Sequence, residues 1–344
     1  LLEELPMHMA DALLSPAVGG AMWLASGAAL AVAARRVRAQ ADDRLVPLMG
    51  VLGAFVFAAQ MLNFAIPATG SSGHLGGGLL LAILLGPHAA LIVIASVLAV
   101  QALFFADGGL LALGANIFNL GVLPCYVAYP LVYRALARPG ATASRITFAA
   151  VAAAVVGLQL GALGVVLQTV ASGVSSLPFS TFLLLMQPIH LAIGVVEGLA
   201  TAAVVLFIRR ARPDLLGEAA PRPASLRPLL ASLAVAALAA GGALAWFAST
   251  QPDGLEWSIE HASGSAELPA PQTRVHAALA ALQQRLAFLP DYALPRSAEA
   301  SERDDATAWP DVNAETSLAG IVGALLTLAA VWLAAGALKR SRRR

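Results

Sequence analysis

Residues 180–208 read STFLLLMQPIHLAIGVVEGLATAAVVLFI, and His190 and Glu197 are the only side chains in that run able to carry charge. A helix that crosses a bilayer needs about 20 mostly apolar residues, and this stretch exceeds that length. The whole chain follows suit. Of its 344 residues, 59% are hydrophobic and 12% charged, with a mean hydropathy of +0.77. Soluble domains carry about 25% charged residues, so the expected fold class is an all-α polytopic membrane protein. A net charge of +1 gives no footprint for nucleic acid. The single cysteine, Cys125, lies in an apolar run, which excludes a disulfide framework and a thiolate metal cluster. Residues 1–6 are too short and too acidic for a secretory signal, so the first span is expected to lead insertion.

Working outward from 180–208, nine apolar runs are candidate spans: 17–34, 46–66, 75–86, 88–105, 112–133, 147–170, 180–208, 229–248 and 318–338. The third is short and rich in glycine (Gly76, Gly77, Gly78), and Gly86-Pro87 breaks it from the fourth. A partial span of this kind is tolerable where protein shields its backbone. If the nine runs alternate across the membrane, 17 of the 21 basic residues fall on one side. They are Arg35, Arg36, Arg38 and Arg44, then Arg134, Arg138 and Arg145. Arg209, Arg210, Arg212, Arg222 and Arg227 follow span seven, and Lys339, Arg340, Arg342, Arg343 and Arg344 end the chain. The positive-inside rule then predicts an N-terminus outside and a C-terminus in the cytoplasm. Residues 211–228, rich in proline and arginine, read as a cytoplasmic linker. They join a seven-span bundle (7–210) to a two-span C-terminal unit (229–338) with an outside segment at 249–316.

That topology gathers three polar stretches on the outer face. They are the N-terminal Met7-His8-Met9-Ala10-Asp11-Ala12-Leu13-Leu14-Ser15-Pro16, the loop Thr69-Gly70-Ser71-Ser72-Gly73-His74, and the loop Asp107-Gly108-Gly109. If Met7 is the working first residue, its α-amine, the His8 amide nitrogen and the His8 ring can chelate one ion through five- and six-membered rings. A deprotonated amide in the plane suits square-planar Ni(II) or Cu(II) before Zn(II). The simpler alternative is a solvated terminal histidine. Six residues, Leu1 to Pro6, precede Met7, and a blocked amine cannot ligate, so the functional protein is expected to start at Met7. Mass spectrometry of the N-terminus of metal-loaded protein checks this, with a free Met7 amine the expected result. His74 is the natural fourth ligand, weighed against an ordinary loop histidine.

The remaining polar groups lie within spans. Gln101, Asn116 and Asn119 read first as hydrogen-bond partners of neighbouring helices. Gln101 and Asn116 also stand as possible partners of a metal-bound histidine. His190 and Glu197, two turns apart on one helix face, are functional candidates by position, open between a mutual pair, a proton relay, a partner-docking site, a metal site and the acid–base pair of an intramembrane hydrolase. No H-E-x-x-H motif and no phosphate-binding loop of the form G-x-x-x-x-G-K-[ST] occurs, so neither a zinc hydrolase nor autonomous ATP hydrolysis is expected. His88 falls at the opposite end from the outer loops.

The stretch Met7 to Pro16 resembles the CbiM/NikM family, the substrate-binding (S) membrane components of energy-coupling-factor importers for cobalt and nickel. So do Ser72-Gly73-His74-Leu75-Gly76-Gly77, the stretch Val100 to Gly109 with Leu113-Gly114-Ala115-Asn116 and Asn119, and His190-Leu191-Ala192-Ile193-Gly194-Val195-Val196-Glu197-Gly198. Pro252-Asp253-Gly254-Leu255-Glu256, with Ser317 to Gly323, resembles the PDGLE domain of the companion NikN/CbiN component, here fused to the first unit. The resemblance implies an ion held by the Met7 amine, the amide and ring of His8, and the ring of His74. Its fold would be a seven-span S-component bundle with a two-span PDGLE unit. The cargo would be Ni(II) or Co(II), with nickel favoured because planar amide ligation suits it and PDGLE domains often accompany nickel proteins. The partners would be a membrane coupling subunit (T/Q-type) and ABC ATPase subunits (A/O-type) in a bacterial cytoplasmic membrane. No enzymatic step is expected. The rival reading is a membrane metal sensor or structural protein that transports nothing.

Overall fold

The computed structural model describes residues 8–39, 45–217, 225–265, 268–269, 271–294 and 309–342. Met7, the preceding Leu1 to Pro6 and the middle of the expected linker lie outside the described residues. In chain order the helices are α1 (Pro16–Ala39), α2 (Leu45–Gln60), α3 (Gly78–Leu85), α4 (Pro87–Phe104) and α5 (Leu113–Leu136). They continue with α6 (Ala143–Ser172), α7 (Phe179–Ala211), α8 (Arg227–Gly242), α9 (Gly254–Ser263), α10 (Arg274–Leu286) and α11 (Ala314–Arg342). A small antiparallel hairpin, β1 (Phe64–Ile66) with β2 (Ser71–Gly73), pairs Phe64 with Gly73. The protein is a helical, multi-pass membrane protein.

Each of the nine apolar runs contains a helix, and six of these are long and apolar enough to cross a membrane by themselves. Helices α2 and α8 have 16 residues and α3 has eight. The run 46–66 overshoots its helix: α2 stops at Gln60, and Phe64–Ile66 turns into β1. Hydropathy cannot see this change, because Phe64, Ala65 and Ile66 are as apolar as the helix before them. Gly70, with φ +75°, makes the hairpin turn, a backbone state that glycine adopts without the Cβ clash. The short α3 is buried at every position, in keeping with a partial span shielded by protein. Gly86 (φ +77°) separates it from α4, which starts with Pro87 at its first turn, where a missing N–H costs nothing.

From Phe118 to Tyr133, α5 winds in wide i→i+5 turns that contain Pro124 and Pro130. Proline lacks the amide hydrogen and crowds the carbonyl four residues back, and the wide turn relieves both. Helices α6 and α7 lie close along their lengths because Gly194 and Gly198 face Val155 and Val151; a Cβ on Gly194 would sit 2.8 Å from the Val155 Cα. Small residues allow such approach in membranes, where dispersion and not water exclusion drives helix contact. Helix α11 packs against α2, α4 and α8, so the C-terminal helices lie on the main bundle. Helix α9 rests on α7, and α10 meets α4, which covers the end of the bundle where residue 8 lies.

Candidate metal-binding site

The N-terminal stretch is pinned before it reaches α1. Met9, Leu13 and Leu14 are buried, and Asp11 accepts the Ala112 amide at 2.9 Å. Asn116 of α5 brackets Met9, accepting its N–H at 3.2 Å and donating to its carbonyl at 3.1 Å. Asn116 thus holds the peptide next to His8, not the imidazole itself. Gly108 lies directly over this segment with φ +80°, where a Cβ would be 2.9 Å from the His8 Cβ. Glycine is required there on both counts.

His8 is buried, and both its backbone N–H (3.2 Å) and its ring Nδ1 (3.0 Å) meet one atom, Asp107 Oδ1. The other Asp107 oxygen accepts the Tyr292 hydroxyl at 2.6 Å, and the Tyr292 ring stacks on Phe105 at 4.9 Å. Burial alone would disfavour a charged imidazole, but the Asp107 carboxylate outweighs it, and the His8 pKa lies above the ordinary value. Burial works likewise against the Asp107 carboxylate, and His8 with the Tyr292 hydrogen bond holds it below the usual range. Among the described residues, the buried His8 Nε2 atom has no hydrogen-bond partner.

His74 follows the hairpin, and its ring centroid lies 5.2 Å from that of His8. The turn after it is clamped from two sides. Glu197 of α7, buried, accepts the N–H groups of Gly76 (2.9 Å) and Gly77 (3.1 Å). Gln60 of α2 donates to the Gly76 carbonyl at 3.0 Å and accepts from Gln101 of α4 at 3.0 Å. Gln101 therefore acts on the His74 loop through Gln60. Asn119 and Gln168 exchange hydrogen bonds at 2.8 and 3.0 Å between α5 and α6, the inter-helix role expected for a membrane amide. His190 donates Nδ1–H to the Met186 carbonyl at 2.8 Å, which leaves Nε2 as the acceptor nitrogen. His88 hydrogen-bonds Tyr126 at 2.7 Å, apart from this cluster.

The C-terminal segment supplies the outer wall. Asp253 caps α9 by accepting the Leu255 and Glu256 amides, and its Oδ2 lies 4.0 Å from His74 Nε2. Burial pushes the Asp253 carboxyl up to about 7, against the opposing pull of its amide donors and His8. His276 of α10 binds the carbonyls of Leu14 and Asp11 at 2.9 and 3.2 Å. Gln283 donates to the carbonyls of Ala102 and Gly108. A cavity of about 70 Å³ remains inside, lined by His8, His74, Asn116, His190 and Asp253 among others. Among the described residues, no three His, Cys, Asp or Glu side chains converge to hold an ion by themselves.

The residues not foreseen as parts of the site are Gln60, Asp107, Asp253 and Tyr292. Asp107 lies in a loop the topology already places beside His8, and Asp253 is the acid of the Pro252 to Glu256 signature. Gln60 and Tyr292 carry no local signal, since only the fold brings them near.

A family model for the cobalt uptake substrate-specific transmembrane region, CbiM, matches residues 8–215. The chain belongs to the CbiM family. A PDGLE domain model matches residues 227–340, so this CbiM-family protein is an M–N fusion, and a transport protein rather than an enzyme. It is 36% identical over 324 residues, 94% of this chain and 96% of the other, to an Archaeoglobus fulgidus protein provisionally named a fused nickel transport protein, NikMN. It is 36% identical over 256 residues to the cobalt transport protein CbiM of Geobacter sulfurreducens, covering 67% of this chain and 71% of that one. A crystal structure of a truncated transition metal transporter superposes with a TM-score of 0.53 at 31% identity, covering 59% of this chain and 99% of that one.

Proposed function

We propose that the protein is the substrate-binding subunit of an energy-coupling-factor importer for Ni(II) or Co(II), with nickel favoured. The observation that carries the site is the convergence of two His8 nitrogens, amide N and ring Nδ1, on the single atom Asp107 Oδ1. Two donors that already point at one position are prepared for an ion to replace that oxygen. The His74 ring, 5.2 Å away, is a further donor, and the Met7 amine is the fourth. Three nitrogens from one chain start and one from a distant loop give the planar set that favours Ni(II).

In this reading residues 7–210 form the metal-binding unit, 211–228 the linker and 229–338 the PDGLE unit. The site end faces outward and the arginine-rich ends face the cytoplasm of a bacterial cell membrane, as the distribution of basic residues supports. The chain has no phosphate-binding loop, so a coupling subunit and ATPase subunits supply the driving energy. Glu197, Gln60 and Gln101 hold the His74 loop, and Asn116 holds the peptide of His8.

Uptake by cells expressing the protein with its partners under equal nickel and cobalt supply tests the assignment. The expected result is accumulation of nickel over cobalt, abolished in His8→Ala and His74→Ala. Cobalt in excess would reverse the choice of ion, and full uptake in both variants would refute the site.

A further inference from the structure

We infer that Tyr292 of the PDGLE unit is a positioning residue for the metal site, an inference that rests on the histidine-pair site proposed above. Its hydroxyl fixes Asp107, and Asp107 in turn holds the two His8 nitrogens on one point.

Asp107 divides its two oxygens between separate tasks. Oδ1 meets the His8 amide N–H at 3.2 Å and the His8 ring Nδ1 at 3.0 Å. Oδ2 accepts the Tyr292 hydroxyl at 2.6 Å, its one hydrogen bond among the described residues. Asp107 is only 3% exposed, so water cannot stand in for the phenol. A hydrogen bond to a charged acceptor is among the stronger kinds, and an anchor at Oδ2 keeps Oδ1 from rotating away from His8. The Gln101 side chain also acts on the Tyr292 hydroxyl. Through Gln101 and Gln60 the phenol is linked to the loop that follows His74.

The turn that delivers the phenol is itself tightly imposed. Asp291 and Tyr292 have positive φ values of 51° and 60°, a state that residues with a Cβ keep only where the surroundings enforce it. Here the end of α4 enforces it. Leu289 and Asp291 donate their N–H groups to the Phe104 and Phe105 carbonyls at 3.2 and 2.8 Å, and Gln283 donates to those of Ala102 and Gly108. The last carbonyls of a helix have no partner within it, so this segment completes α4 as it seats Tyr292. The Tyr292 ring stacks on Phe105 with 4.9 Å between centroids and 21° between planes. The hydroxyl thus reaches Asp107 from a ring fixed by both its backbone and its face. Donors set in place before the ion arrives need not be ordered by it, which strengthens binding. The CbiM region supplies His8 and Asp107, and the PDGLE unit supplies the group that fixes their relation.

The test compares wild type with Tyr292→Phe in the purified full-length chain. Phenylalanine keeps the ring on Phe105 and removes only the hydroxyl. Ni(II) titration by calorimetry reads the affinity. Nitrogen NMR of histidine-labelled, metal-free protein reads the His8 Nδ1 resonance, assigned by its loss in His8→Ala. The expected result is a nickel affinity about tenfold weaker, the low end of what removal of a group behind a metal ligand costs, together with a displaced His8 resonance. Affinity equal to or tighter than wild type would overturn the inference, and so would an unmoved resonance. Phe288→Leu is the packing control: it loosens the same segment against Phe104 and Phe105 but leaves the Tyr292 hydroxyl in place, and it should bind nickel like wild type. A loss as large as that of Tyr292→Phe would overturn the inference, because general loosening would then account for both. His8→Ala separates the two levels: if it binds nickel like wild type, the histidine-pair site has failed, whatever Tyr292 does.

Discussion

At the scale of single residues, the His8 imidazole must shed a proton from Nδ1 before that atom can chelate. Burial opposes a charge on the ring, yet Asp107 prevails and raises its pKa. Protons therefore compete with metal already above the ordinary imidazole value, and binding weakens as pH falls through the raised pKa. In Asp107→Asn the competing proton is held less tightly, so the acid limb of the nickel-binding profile is expected to move to lower pH. Titrations at a series of pH values read this directly. Glu197 offers a second measurement. Its carboxylate takes two backbone amides from the loop of His74, and glutamine would turn an NH₂ toward one of them. Loss of one charge-assisted bond costs about 1.5–3 kcal/mol. Glu197→Gln is expected to lower the melting temperature and to weaken nickel binding, while Glu197→Asp should retain part of both. That His190 and Glu197 share a face of α7 was legible in the sequence. That Glu197 works on a glycine pair more than a hundred residues away was not.

Among the elements, periodic and compositional signals served well where the bilayer imposes them and poorly where backbone turns decide. The long helices α4, α6 and α7 follow their apolar runs to within a few residues. The end of α2 does not, since Asn63, Pro67 and Gly70 redirect an equally apolar chain into a hairpin. The contact of α8 with α11 likewise depends on what is missing. A Cβ on Gly320 would strike the Gly241 carbonyl, whereas one on Gly336 would meet nothing within 4 Å. Gly320→Val should push the helices apart, with an overpacking penalty of about 1–3 kcal/mol and a lower melting temperature. Gly336→Val should leave it unchanged.

For the whole molecule, the joining of a CbiM-like region to a PDGLE region could be read from the sequence motifs, but the way the second part meets the first could not. Asp253, Tyr292, His276 and Gln283 each reach groups more than 170 residues away in the chain, and no local pattern encodes such a meeting. Because α11 packs on α2 and α4, the two parts are joined by helix contact as well as by the chain. Co-expressed fragments cut between Gly217 and Arg227 are expected to co-purify and to bind nickel as the intact chain does. Fragments that separate would show that the linker itself keeps them joined.

Ser72 donates its N–H to the Pro252 carbonyl at 2.7 Å and its hydroxyl to the Gln251 carbonyl at 2.8 Å, and the pair has a mechanical result. The hairpin that leads into His74 is stitched to the turn that opens α9. A displacement of either is handed to the other unless both stitches part.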